Sequence, residues 1–337
     1  MNKINIGVIG LGRMGQVYAT HVGHQIPQAR LAAVADPRRQ VALEFAGQFP
    51  AVEVYADYLE LLQHPDLHAV IIATPTNTHR EIVIAAAEAG KAIFCEKPTS
   101  LTLSATDEML DTVDRCRVLF QVGFMRRFDA GYAEAQRKID QGIIGQPVAV
   151  RSIGRDPYRT SLEYADPHIS GGLIVDMAIH DIDLTRWLMS DEVDRVYTET
   201  ASLVYPELLD VGDVDAAMIS LKFVQGAVGH IEVSRTAIYG YDIQTEIIGS
   251  RGTLQIGYLR QTPLLVLTKE GVQHDVVPHF PQRFGEAYTR QIEHFIDCVV
   301  RGEAPIVTPQ DARAALQIAL AATRSQHEAR VVYTSEI

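Results

Sequence analysis

Apolar residues in the first third of the chain come in short, nearly unbroken runs: Ile4 to Ile9, Leu31 to Ala35, His68 to Thr74, Ala92 to Cys95 and Leu119 to Gly123. Such runs are what strands buried on both faces require, and helices set between them make the strands parallel. The intervening segments carry the helical period, from Gln16 to about His24, Arg39 to Gln48, Tyr58 to Gln63, the Thr76-Asn77-Thr78-His79 turn through Ala89, and Ser104 to Cys116, with Gly90 as a C-cap and a short extended piece near Val54. The pattern changes after Phe124. A helix is expected from Ala130 to Gly142, then strands at Pro147 to Ile153, Arg195 to Val204, Asp215 to Phe223, Ala227 to Arg235, Tyr241 to Gly249, Gly252 to Tyr258 and Leu264 to Thr268. Tight turns such as Val224-Gln225-Gly226 join several of these, and faces alternate, with Ile231 and Val233 opposed to His230, Glu232 and Ser234. Amphipathic, Ala-rich helices at Glu286 to Val300 and Pro309 to His327 close the chain.

This reads as an α/β, doubly wound parallel sheet over residues 1–124 and an α+β domain with a large, mostly antiparallel open sheet over 125–337. At 337 residues and 47% hydrophobic content, the chain has ample material for two cores. A net charge of −12 opposes nucleic-acid backbones and anionic membrane surfaces, which select clustered Lys and Arg. No apolar run has membrane-spanning length. Three dispersed cysteines, Cys95, Cys116 and Cys298, fit neither a disulfide framework nor a zinc ribbon, and with a first strand beginning at Ile4 they lead to the expectation of a cytoplasmic protein.

The first strand runs into Gly10-Leu-Gly12-Arg13-Met14-Gly15, the dinucleotide fingerprint of a Rossmann fold in its proper strand-to-helix setting. Gly10 permits the tight turn, Gly12 admits a pyrophosphate against the backbone, and Gly15 lets the helix close on the strand. Asp36 ends the second strand about twenty residues on, where a carboxylate grips the adenosine ribose and favours NAD over NADP. Arg38 and Arg39 follow it and leave NADP open through pairing with a 2′-phosphate. Thr74, Asn77 and His79 follow a third strand, and Glu96-Lys97-Pro98 a fourth, at the carboxyl edge where open α/β sheets bind ligands. Thr74 to Asn77 reads equally as a turn with a helix cap, and Lys97 as a solvated lysine. At that edge the Lys97 ammonium can stabilise an alkoxide.

Beyond Gly171-Gly172, a helical reading places Asp176, His180 and Asp183 at i, i+4 and i+7, on one face of a largely apolar helix. Histidine titrates near neutrality, which suits the proton transfer of alcohol oxidation; Asp176 is expected to bind a hydroxyl or orient the imidazole, and Asp183 to support it or contact a polyol. Three such residues could also ligate a metal, but a lysine aimed at the same place opposes a cation, and none is expected. Arg155, Asp156 and Tyr241 are further candidates for the directional hydrogen bonds a polyol needs, alongside readings as a turn and a packing residue.

These stretches together, with Gly123-Phe124-Met125-Arg126-Arg127-Phe128-Asp129, resemble the Gfo/Idh/MocA oxidoreductases over nearly the whole chain. Arg155-Asp-Pro157, Leu162-Glu-Tyr164, Ser170-Gly-Gly172 and Ala237 to Asp242 make the chain most similar to the inositol 2-dehydrogenases within that family. The resemblance implies NAD as cofactor, roles for Lys97, Asp176 and His180 in catalysis, cofactor contacts extending to Arg13, Met14, Glu96 and Arg127, and a cyclic polyol, myo-inositol first, as substrate. It also implies that the open sheet packs on another subunit, giving dimers or tetramers. Another inositol isomer, an aldose, or a catalytically silent NAD(P)-bound sensor are the alternatives.

Overall fold

A computed structural model describes residues 3–337. The described residues form two compact units, 3–125 with Tyr288–Arg313, and Arg126–Ala287 with Ala314–Ile337. In the first, β1 (Ile4–Ile9), α1 (Arg13–His24), β2 (Ala29–Ala35), α2 (Arg39–Ala46), β3 (Glu53–Tyr55), α3 (Tyr58–Leu62), β4 (Ala69–Ile72), α4 (Thr76–Glu88), β5 (Ala92–Cys95), α5 (Leu103–Cys116) and β6 (Phe120–Val122) alternate along the chain. The six strands pair in the order β3-β2-β1-β4-β5-β6, every pair parallel. Chain order reverses between β1 and β4, so the crevice for a ligand opens beyond their carboxyl ends. Val8, Val70, Ile71 and Phe94 are wholly buried, as unbroken apolar runs demand.

In the second unit a 3₁₀ turn (Met125–Phe128) leads into α6 (Ala130–Asp140), β7 (Pro147–Arg155), the short α7 (Leu162–Ala165) and α8 (Pro167–Ser170), a π-helical turn (Ile174–Ala178) and α9 (Ile179–Met189). Then come β8 (Val193–Ala201), β9 (Ala216–Phe223), β10 (Val228–Ser234), β11 (Asp242–Gly249), β12 (Thr253–Ile256), β13 (Val266–Thr268), β14 (Gly271–Gln273), α10 (Phe280–Arg301), α11 (Pro309–Glu328) and β15 (Val332–Tyr333). The large sheet has seven strands in the order β12-β11-β7-β10-β9-β8-β15. Only β7 and β10 pair in parallel; the other pairs are antiparallel. Register fixes its faces: Ser152, Gly154, Ile231, Val233, Ile243 and Thr245 share the face toward α9, whereas Arg155, Glu232 and Asp242 share the other.

Three expectations need correction. The strand at Leu264 to Thr268 pairs only with β14, in a separate hairpin, because Val266, Leu267 and Val272 face outward with no buried partner face to register against. The closing helix α10 does not belong wholly to the second unit: from Tyr288 it joins the first, where Tyr288 meets Tyr18, and Phe295 meets Phe94 at 5.9 Å, ring edge to face. The segment around His180 is not one continuous α-helix. A π turn, Ile174–Ala178, holds Asp176, and α9 with His180 and Asp183 begins only at Ile179. Among the described residues, no helix is long and apolar enough to cross a membrane.

Candidate functional site

The carboxyl edge of the parallel sheet is made largely of backbone. Gly10 has φ +88°, and a Cβ there would lie 2.8 Å from the Ala73 carbonyl oxygen. A Cβ on Gly15 would stand 1.8 Å from the Gly10 carbonyl oxygen, so only glycine lets α1 settle on the turn. Gly12 is different. A Cβ there meets nothing within 4 Å, so close packing within the protein does not require glycine at this position. As the N-cap of α1 it also has no side chain to cap the first N–H groups, the arrangement that suits a pyrophosphate. Arg13 beside it is exposed and Met14 half-buried.

Asp36 follows β2 and is 2% exposed. Its Oδ2 accepts the Leu11 N–H at 2.8 Å, and Oδ1 the Arg38 N–H at 2.9 Å. The Arg38 guanidinium adds bonds of 3.0 and 2.9 Å. Burial is the largest single influence and pushes the carboxyl up, but the hydrogen bonds from Arg38 and from the Leu11 and Arg38 N–H groups together hold it below its ordinary 3.8. An ionised acceptor at that place fits the ribose of NAD. Turn glycines, uncapped helix start and anchored carboxylate therefore fit a dinucleotide.

Beyond β4, Thr74 accepts a hydrogen bond from the Thr78 hydroxyl at 2.8 Å, and Asn77 is exposed. His79 is 1% exposed, with Nε2 2.9 Å from the Thr74 carbonyl and Nδ1 2.9 Å from that of Pro98. Burial lowers its pKa. It braces the loop after β4 against the loop after β5, which sets it in the frame of the crevice. Glu96 and Lys97 come directly after β5, with Lys97–Pro98 a cis bond, and Glu96 Oε2 accepts the Lys97 N–H at 3.0 Å.

The second unit holds its chemistry on side chains. His180 opens α9 and is 9% exposed. Asp176, in the π turn, accepts from the Tyr164 hydroxyl at 3.1 Å and lies 3.4 Å from Arg235, which reaches Asp213 at 2.6 Å. Asp213 in turn accepts the Leu173 N–H at 2.7 Å, anchoring the start of this segment. Asp183 is buried and takes two hydrogen bonds from Arg127, of 2.9 and 2.5 Å. Arg126 pairs at 2.8 Å with Asp181, which also accepts from Ser152 at 2.6 Å. Tyr241 is a buried phenol that burial, first, pushes well above its ordinary pKa, against the opposing charge of Arg126.

The structure thus puts Asp176 and His180 on adjoining turns of one segment, which Arg126 holds through Asp181. It separates Arg155 from them. Strand alternation turns Arg155 to the sheet face away from α9, where it pairs with Glu232 at 2.5 Å and Asp242 at 3.1 Å. Asp156, one residue on, is half-buried, and its backbone bonds Ser234 and Ala237. Sequence reasoning passed over Arg126, Asp181, Asp213 and Arg235; the signal available for the first two was the match of adjacent arginines to the Asp181-x-Asp183 spacing.

Residues 4–124 match the model of the oxidoreductase family's NAD-binding Rossmann fold, and residues 136–334 that of its C-terminal alpha/beta domain. The scyllo-inositol 2-dehydrogenase (NAD(+)) of Bacillus subtilis is 40% identical over 324 residues, covering 96% of this chain and 94% of its own. The myo-inositol 2-dehydrogenase of Thermotoga maritima is 37% identical over 335 residues, 99% of each chain. The structure of Lactobacillus casei scyllo-inositol dehydrogenase with bound NAD(H) and scyllo-inositol superposes with a TM-score of 0.94 at 31% identity, covering 99% of this chain and 100% of the other. With both domains matched and such relatives along almost its full length, the chain belongs to the Gfo/Idh/MocA family of oxidoreductases and carries that family's NAD-binding domain.

Proposed function

We propose that the protein is an NAD-dependent inositol dehydrogenase that oxidises one secondary ring hydroxyl to a ketone, with myo-inositol to 2-keto-myo-inositol the expected reaction. One observation carries the chemistry: Lys97 stands at the carboxyl edge of the parallel sheet, immediately after β5 and on the same edge as the Gly10–Gly12 turn. Full-length relatives named for scyllo- and myo-inositol support the substrate class. Bound NAD supplies the acceptor for the hydride leaving the carbinol carbon.

In this reading the hydroxyl proton passes to the His180 imidazole, histidine being the side-chain type most used for such transfers. The Lys97 ammonium stabilises the negative charge growing on the oxygen. Asp176, held by Tyr164 and Arg235, binds a ring hydroxyl beside the reacting one. Asp156 and Tyr241 serve the ring's other hydroxyls. Asp183 is assigned instead to holding α9 through Arg127, and Arg155 to the far sheet face. That face also exposes Met218, Val228 and Ile248, which supports assembly of copies through the open sheet.

The scyllo-inositol relative gives the isomer a specific rival. Formation of NADH from NAD, and of NADPH from NADP, measured with myo-, scyllo- and chiro-inositol, glucose and xylose separates them. Turnover with an inositol and NAD is expected. Turnover of glucose or xylose alone would overturn the substrate, and NAD binding with no turnover of any polyol would favour a sensor.

A further inference from the structure

The Glu96 carboxylate has a partner that the reaction does not account for. Its Oε1 accepts a short hydrogen bond from the hydroxyl of Tyr18, on α1, and its Oε2 accepts the Lys97 N–H at 3.0 Å. Tyr18 is 0% exposed, and its hydroxyl accepts in turn from Gln291 Nε2 at 2.8 Å. Gln291, also 0% exposed, lies on α10, and its backbone carbonyl accepts a 3.0 Å bond from Gln121 Nε2, which fixes that turn of the helix. From the Gln291 side chain the donors point one way, through the Tyr18 hydroxyl to Glu96. Burial, followed by the charge of Glu96, keeps the Tyr18 phenol well above its ordinary pKa, so it remains a donor.

Three further contacts hold the carboxylate's surroundings. The Tyr18 ring packs edge to face on Phe94 at 5.4 Å and on Tyr288 at 6.2 Å. Gly123 leaves the space beside the carboxylate clear: a Cβ there would lie 3.2 Å from Glu96 Cδ and Oε1. A buried phenol and a buried amide aligned on one carboxylate are costly to assemble unless their placement matters, the more so because the Gln291 amide oxygen is buried without a hydrogen-bond partner.

We propose that Tyr18, backed by Gln291, is a positioning residue for Lys97: by fixing the Glu96 carboxylate it fixes the backbone from which the lysine projects. The inference rests on the role given to Lys97 above. It makes α1, whose first turn is the fingerprint for the cofactor phosphates, the support of the catalytic lysine as well. It also gives a reason for α10 to pack in the first unit from Tyr288 onward, since Gln291 reaches Tyr18 from there.

The test is steady-state kinetics of Tyr18→Phe, Glu96→Gln and the double variant, with Lys97→Ala alongside and NAD affinity measured by titration. Tyr18→Phe removes one oxygen and keeps the ring contacts. It is expected to lower kcat about tenfold, the size of one lost hydrogen bond to a charged group, with the polyol KM and the NAD Kd within about twofold of the parent. In the Glu96→Gln background the same change is expected to do nothing more, since both act through one bond. Gln291→Met, which keeps the volume and removes the donor, should show a smaller loss of the same kind and covers the case in which Tyr18→Phe folds poorly. Multiplying effects of Tyr18→Phe and Glu96→Gln, or an unchanged kcat in both Tyr18→Phe and Gln291→Met while Lys97→Ala is inactive, would overturn the inference alone. Activity retained in Lys97→Ala would instead overturn the role of the lysine on which it stands.

Discussion

The two units hold charge in place by opposite means. Along the edge of the parallel sheet the turn after β1 is built of glycines and backbone amides, and Asp36 is steadied mainly by N–H donors and the exposed Arg38. Around α9 the charges are side chains sealed against side chains: Arg126 with Asp181, Arg127 with Asp183, and Arg235 with Asp213 and Asp176. A backbone cradle can lose ligand affinity without loss of fold, because its donors are fixed by the sheet and helix that supply them. Buried ion pairs couple the two. Removing one partner strands the other away from water, so in the second unit a change near the chemistry is also a change in stability.

The strongest way to break that contrast is to cut a buried pair. Arg126→Met leaves the Asp181 carboxylate, 0% exposed, without its cation, and is expected to cost ~3–5 kcal/mol in guanidinium chloride unfolding. Asp183→Asn should likewise lower the unfolding midpoint, with less effect on the polyol KM. A raised KM at unchanged stability would return Asp183 to the substrate.

The first unit predicts two unequal glycine variants. Gly15→Ala forces a Cβ to within 1.8 Å of a carbonyl oxygen, so α1 must move; a loss of about 1–3 kcal/mol or more is expected. Gly12→Ala meets nothing in the protein, and its thermal unfolding should stay within about 0.5 kcal/mol of the parent. Its NAD affinity should nevertheless fall, by about tenfold, since the methyl enters the space where a pyrophosphate would approach. Equal destabilisation by the two would remove the distinction between packing glycine and ligand glycine.

The first unit was the more legible in the sequence for the same physical reason. Doubly buried strands must be continuously apolar, and positive φ or close approach demands glycine, so Ile4–Ile9, Gly10 and Gly15 carry their structure in their composition. Around His180 the residue types were visible but their directions were not. Nothing in Ile174-Val-Asp-Met-Ala178 marks a π turn, which has no diagnostic Pro or Gly, so the sequence pattern reads as a single α-helix. Arg155 was misdirected by the same kind of gap: its neighbourhood in sequence points to the site, while its place in the alternation of β7 points away. Gln291 was out of reach altogether, since its contact with Tyr18 spans most of the chain.

In the proposed function Lys97 works with the cofactor and the alkoxide, and His180 with the proton. The most direct test of this division is a paired measurement on Lys97→Ala and His180→Ala: turnover with an inositol and NAD, and NAD affinity by titration on the same preparations. Each variant is expected to lose at least about a hundredfold in kcat while binding NAD as the parent does. Turnover within a few-fold of the parent in either variant, or loss of NAD binding in His180→Ala, would contradict it.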